Sequence, residues 1–136
     1  MSPQSYAINL HVDYADTDAG GVVYHANYLV FMERARNAWL RNCGVSVTHL
    51  LDKHKMVFVT KEIALNYRAP AKLDDLIEVT LEVRKLNRAS MICVQQVIRA
   101  HDLLVEAEIK LATLDSENFK PMRMPEKLFN AIHSTT

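Results

Sequence analysis

From Ala26 to Cys43 the chain runs eighteen residues without a glycine or proline, and no later stretch offers a second helix of that length. Tyr28, Phe31, Met32, Ala35, Trp39 and Leu40 fall on one broad apolar stripe, while Glu33, Arg34, Asn37 and Arg41 lie away from its centre. Gly44 follows as a C-terminal cap. At 1.5 Å per residue the helix would span about 27 Å, roughly an eight-residue strand. One such helix can lie along a whole sheet.

The remainder reads as strand. Upstream, Tyr6, Ile8, Leu10, Val12 and Tyr14 alternate with mostly polar positions. Val45 to Lys55 is a connection with a turn or two of helix around Val47, Leu50 and Leu51. From Met56 a strand pattern leads through Val57-Phe58-Val59, Ile63, Leu65 and Tyr67 to a stop near Ala69-Pro70. Ile77, Val79, Leu81 and Val83 then alternate with Glu78, Thr80, Glu82 and Arg84. A turn is expected at Lys85 to Ala89, a strand at Ser90 to Ala100, a turn at His101-Asp102, and a final strand through Val105, Ala107, Ile109, Leu111 and Thr113. Pro121 and Pro125 mark an irregular tail, with a last helical turn at Glu126 to Ile132. Short turns make antiparallel neighbours, and the lack of a second crossover helix argues against a doubly wound parallel sheet. The expected class is α+β: a single domain, residues 1–136, with one antiparallel sheet curved around one long helix.

Ser90 to Ile98 is largely apolar on both faces, and one helix covers only one of them. An oligomer is therefore expected, at least a dimer and preferably a tetramer. Sixteen basic residues balance sixteen acidic ones, which gives no reason to expect nucleic acid as a partner. No apolar run approaches the roughly 20 residues of a membrane span, and Met1-Ser2-Pro3-Gln4 lacks the pattern of a signal peptide. Cys43 and Cys93 read as free thiols, which places the protein in the cytoplasm.

The chemistry concentrates in Asp16-Thr17-Asp18-Ala19-Gly20-Gly21-Val22-Val23-Tyr24-His25-Ala26-Asn27-Tyr28. Two carboxylates, a Gly-Gly turn and a histidine precede the helix, whose first backbone N–H groups can face a reacting oxygen. Aspartates at a helix start usually accept such N–H bonds, but Gly20-Gly21 also permits close approach of a ligand. A phosphatase of the haloacid dehalogenase type would need a parallel sheet. An EF-hand starting at Asp16 would place Asn27 where a glutamate is required. A zinc site would want more ligands than Asp18 and His25. Tyr14 and Tyr24 flank the turn and could line a pocket. Arg84, Lys85 and Arg88, with Ser90 after them, form a solvated turn or a site for substrate phosphates.

This stretch, continued by Phe31-Met32-Glu33-Arg34-Ala35-Arg36, resembles the signature of hotdog-fold acyl-CoA thioesterases. It is most similar to the YbgC type, associated with the Tol-Pal envelope system, within the 4-hydroxybenzoyl-CoA thioesterase family. Tyr67-Arg68-Ala69-Pro70-Ala71-Lys72-Leu73-Asp74-Asp75 resembles the segment these proteins carry after their second strand. The resemblance runs from about Tyr6 to Leu114. It implies the hotdog fold, in which a sheet wraps a central helix, and hydrolysis of an acyl-CoA or acyl carrier protein thioester. It makes Asp18 the general base or nucleophile, and His25 a substrate-binding or acid/base residue whose backbone N–H polarises the carbonyl. Tyr14, Tyr24, Arg84, Arg88 and Ser90 become candidate substrate-binding residues. Coenzyme A enters as part of the substrate and bridges subunits, and neither metal nor redox cofactor is implied. The alternative is a non-catalytic acyl-binding protein on the same fold.

Overall fold

The computed structural model describes residues 5–135; Met1 to Gln4, read above for a signal peptide, and Thr136 lie outside the described residues. The chain forms β1 (Ser5–His11), a single 3₁₀ turn (Tyr14–Asp16), α1 (Asn27–Asn42) and α2 (Val47–His54). Four longer strands follow, β2 (Met56–Tyr67), β3 (Leu76–Asn87), β4 (Ser90–Arg99) and β5 (Asp102–Asp115), and then α3 (Glu126–Thr135). All five strands pair antiparallel in one sheet of order β1-β3-β4-β5-β2. Register slips between Thr60 and Glu62, Val83 and Lys85, and Val97 and Ile98 supply the local bends that a curved sheet needs.

The long helix forms where its apolar stripe predicts, and the six stripe residues are the six it buries. It packs across β1 and β3, while α2 rests on β2. Beneath α1, alternate positions of each strand turn inward: Ile77, Val79, Leu81 and Val83 on β3, and Met91, Cys93 and Val97 on β4. Val105, Ala107, Ile109 and Leu111 of β5 complete the floor. Each large apolar side chain buried here contributes about 1.5–3 kcal/mol, so the contact between helix and sheet dominates stability. Both cysteines are free, and burial pushes the Cys93 thiol up to about 12. At the far end, Leu128 and Ile132 of α3 seal the core, so the last helix is longer than one turn.

One inward position of β4 is polar. Gln95 is fully buried; its Nε2 donates to the Met32 carbonyl at 3.0 Å and the Thr80 carbonyl at 3.2 Å. Its Oε1 accepts from Arg36 Nη1 at 2.9 Å. The side chain thus ties helix to sheet, and burial lowers the Arg36 pKa.

Three boundaries depart from the sequence reading. The first strand stops at His11, because Val12 leaves the sheet to exchange backbone hydrogen bonds with Asp74 and Asp75. β3 runs on to Asn87, since the slip after Val83 re-aims Leu86 against the core; the turn is only Arg88-Ala89. The next hairpin turns at Ala100-His101, both with positive φ (47° and 75°), and Asp102 already pairs with Arg99. Two successive left-handed residues match the twist of a two-residue hairpin, and neither is the glycine or asparagine that would advertise it.

The outer face of β4 is also less bare than expected. Ile92, Val94 and Ile98 are half-buried, and charged pairs flank them on the neighbouring strands. Arg84 pairs with Glu108 at 3.1 Å, and Lys110 pairs with Glu62 at 3.0 Å. Val94 and Val97 mark the two faces of this strand. Val97 is fully buried between Val79 and Val105, while Val94 lies outward between Glu82 and Glu108. Val97→Glu should abolish cooperative folding by burying an unpaired carboxylate. Val94→Glu adds a third carboxylate to an exposed row and should cost roughly 1 kcal/mol. Thermal melts followed by circular dichroism check this, and equal losses would contradict the assignment of faces.

Candidate active site

Between β1 and α1 the chain folds into a small hairpin whose geometry follows from its residues. Asp13 N–H donates to Asp16 Oδ2 at 2.9 Å, closing the 3₁₀ turn that ends the strand. Thr17 then pairs with Val23, Asp18 N–H donates to the Val22 carbonyl at 2.9 Å, and Gly21 N–H donates to the Asp18 carbonyl at 3.1 Å. Gly21 sits at φ +77°, the left-handed conformation this tight turn requires. A Cβ on Gly20 would come within 3.3 Å of Asp18 Oδ1, so the glycine leaves room for the carboxylate to fold back.

The two aspartates are placed for different tasks. Asp16 spends both oxygens on structure, accepting from Asp13 N–H and from Asn27 Nδ2, the latter at 2.9 Å. Its main-chain carbonyl also holds Tyr24 N–H at 3.0 Å. Asp18 accepts one bond, from Gly20 N–H at 2.9 Å, and its side chain is otherwise open to solvent. Asp16 is thus fully engaged in shaping the turn, while Asp18 is not.

The hairpin is fastened to the segment after β2. Val22 bridges Lys72, Val23 N–H donates to the Ala71 carbonyl at 2.9 Å, and Leu73 N–H donates to the Gly21 carbonyl at 3.3 Å. Asp75 anchors that segment: its Oδ2 accepts from Lys72 N–H at 2.8 Å and from Arg99 Nη1 at 2.7 Å. Arg99 reaches the Pro70 carbonyl as well, at 3.2 Å. Burial alone would raise the Asp75 pKa, but the bonds from Arg99 and Lys72 hold it below the usual carboxylate range. This contribution to stability is present above the ordinary carboxylate pKa and fades as pH falls through the lowered one.

At the top of the hairpin α1 begins without a side-chain cap. Its N-cap is Ala26, no acidic residue occupies the first turn, and the N–H groups of His25 and Ala26 donate to nothing among the described residues. Those donors and the helix dipole favour a developing negative charge. His25 is exposed, its ring 4.4 Å from that of Tyr24. With Tyr28, Tyr67, Arg68 and the Ala69-Pro70 turn it lines a cleft of about 270 Å³. Tyr67 donates its hydroxyl to the His25 carbonyl at 2.7 Å, and its ring meets Tyr28 edge-on at 5.7 Å. Tyr28 in turn accepts from Ala71 N–H at 3.0 Å, and its pKa is raised, burial being the largest cause. A depression of about 330 Å³ on the outer sheet face is larger, but Arg84 and Glu108 on its rim already pair with each other.

Asp18, Tyr24 and His25 all lie on the loop between β1 and α1, where the Tyr24 and His25 rings meet at 4.4 Å and His25 alone of the three lines the cleft. Tyr14 lies in the preceding 3₁₀ turn with its side chain 82% exposed, so it lines no cleft within this chain. Arg84, Arg88 and Ser90 are not brought to the loop. Arg84 is engaged on the outer face. Arg88 pairs with Glu126 at 3.0 Å and stacks over Phe129 at 3.8 Å. Ser90 sits seven residues along β4 from Val97, the position level with Tyr67, or about 23 Å. Within one chain both arginines of this hairpin face carboxylate partners and stand apart from the acidic loop. Tyr28, Tyr67 and Arg68 were missed as cleft residues, although Tyr67 and Arg68 open the second segment of the family resemblance.

Comparison with known proteins places this loop and cleft within a matched family. The profile of the thioesterase-like superfamily matches residues 12–132. The chain is 39% identical over 133 residues to the acyl-CoA thioesterase YbgC of Haemophilus influenzae, covering 98% of each protein. It is 38% identical over 120 residues to the acyl-CoA thioester hydrolase YbgC of Escherichia coli O6:H1, covering 88% of this chain and 89% of that one. A probable thioesterase from Bartonella henselae superposes with a TM-score of 0.85 at 33% identity, over 89% of this chain and 99% of the other. A match across 12–132, with the acidic turn, the uncapped helix and the cleft all inside it, means that the chain belongs to the thioesterase-like superfamily.

Proposed function

We propose that this chain hydrolyses acyl-CoA thioesters, releasing the free acid and coenzyme A, with Asp18 and the start of α1 as its catalytic parts. The observation that carries this is an open Asp18 carboxylate on the loop that leads into a helix N-terminus whose His25 and Ala26 N–H groups meet no acceptor among the described residues. A thioester carbonyl set against those donors is polarised as negative charge builds on its oxygen, and loss of one such donor can cost about 2.7–4 kcal/mol of barrier. Asp18 then either attacks the carbonyl carbon, giving a mixed anhydride that water cleaves, or removes a proton from an attacking water. In both routes the C–S bond breaks and the sulfur leaves as a thiolate, which needs no strong acid. This explains how one carboxylate and a helix start can suffice. The two relatives named as acyl-CoA hydrolases support coenzyme A as the carrier; an acyl carrier protein is the other carrier consistent with the chemistry.

The reading includes assembly. β2 is a 12-residue edge strand paired only with β5. Ile63 and Tyr67 on it, and Val30 on α1, are 42%, 49% and 51% exposed. A second copy pairing along β2 would satisfy the free strand edge, and two such dimers would make the tetramer. A bridging coenzyme A could then meet Arg84, Arg88 or Ser90 of another protomer. No helix among the described residues is long and apolar enough to cross a membrane, and we place the protein in the cytoplasm.

Asp18→Asn should lower kcat on acyl-CoA by about 10²-fold or more, with the fold intact because the amide oxygen can still accept from Gly20 N–H. Asp16→Asn should affect stability more than chemistry, since it turns one of two acceptors into a donor. Steady-state hydrolysis across a panel of acyl-CoA chain lengths, with melting curves alongside, tests both; activity lost at Asp16 and kept at Asp18 would reverse the assignment. His25→Ala should reduce kcat without abolishing it, because the backbone N–H and the carbonyl bond from Tyr67 both remain. A loss as complete as that of Asp18→Asn would instead make the imidazole essential.

A further inference from the structure

We infer that Tyr67 is a positioning residue for the reaction: its phenol fixes the His25–Ala26 peptide and so aims the backbone donors at the thioester oxygen. The inference rests on the reading just given and extends it to a residue on a different element. Tyr67 is the last residue of β2, and its main chain pairs with Val105 of β5, so its base is held by the sheet. Its ring is braced edge-on by Tyr28 at 5.7 Å, and Tyr28 is buried on α1. From that platform the hydroxyl donates to the His25 carbonyl at 2.7 Å, the length of a good O–H···O bond.

His25 precedes the N-cap Ala26, whose carbonyl is the first to accept a bond from within the helix. Leu29 N–H accordingly donates to the Ala26 carbonyl, at 3.2 Å, and the His25 oxygen, outside the helical ladder, is available to Tyr67. The carbonyl of His25 and the N–H of Ala26 belong to one planar amide. Fixing its oxygen fixes the direction of its N–H, and a hydrogen bond accepted at the oxygen strengthens donation from the nitrogen. The bond also pins the backbone from which the His25 side chain leaves. With Ala26 as N-cap, no side chain fixes this peptide from within the helix. The hold comes across the cleft, from the sheet. Tyr67 need not touch the reacting atoms; it acts through the peptide.

Tyr67→Phe is the direct test, because it keeps the ring against Tyr28 and removes only the hydroxyl. Loss of that bond should lower kcat on the best acyl-CoA of the panel roughly tenfold, the size of one hydrogen bond's worth of barrier, with KM changed by less than about twofold. In ¹H–¹⁵N spectra of the full-length protein the Ala26 amide should shift upfield and exchange faster with solvent, while amides of β3 and β4 stay where they are. An unchanged kcat with an unchanged Ala26 amide would overturn the proposal. A rise in KM alone would also overturn it, by making the phenol a substrate contact. Should the wild-type protein hydrolyse no thioester in the panel, the proposed function falls, and the Ala26 amide alone decides whether Tyr67 holds the peptide.

Discussion

The strip of hydrogen bonds joining residues 12–23 to 71–75 is what the rest of the site depends on. Neither segment belongs to a long strand or helix, and each would wander without the other. Asp75 makes them one unit: its carbonyl takes Val12 N–H, and its carboxylate takes Lys72 N–H and the Arg99 guanidinium. Arg99 is rooted in β4, so the sheet is the fixed frame and the acidic turn is mounted on it. Fixing the turn in turn fixes where α1 begins, through the bond from Tyr24 N–H to the Asp16 carbonyl. The geometry of the helix start thus rests on this strip of hydrogen bonds.

Large parts of this design were legible in the sequence because they follow periodicity. The stripe from Tyr28 to Leu40 could bury itself only against a sheet, and the alternation from Ile77 to Val83 could only be one of its strands. The single helix followed by strands gave the architecture before any family likeness was considered. The acidic turn was legible for a different reason: two carboxylates, two glycines and a histidine within ten residues are seldom assembled by chance packing.

The rest was illegible for physical reasons that can be named. Gln95 sits where the alternation calls for an apolar residue, and its fitness depends on carbonyls of Met32 and Thr80 that are distant in sequence. The slip after Val83 moves a turn by three residues, and no residue type announces it. Arg88 looked free for a phosphate because its partners, Glu126 and Phe129, arrive only when α3 folds back. Tyr67 looked like one more strand tyrosine, and its bond to His25 spans forty-two positions. The outer face of β4 looked bare, yet Ile92, Val94 and Ile98 are half-buried in the folded sheet. In each case the missing information is a contact between elements, which periodicity within one element does not hold.

The central claim is that an acyl thioester is held with its carbonyl oxygen at the start of α1 and its carbonyl carbon beside Asp18. A crystal structure of the Asp18→Asn variant with an intact acyl-CoA bound tests it most directly. The account predicts the thioester oxygen about 3 Å from the N–H of His25 or Ala26, with the substituted amide side chain next to the carbonyl carbon. A thioester seated elsewhere, such as the cleft between α1 and β2 beside Arg36 and Phe58, with the helix start empty, would contradict it.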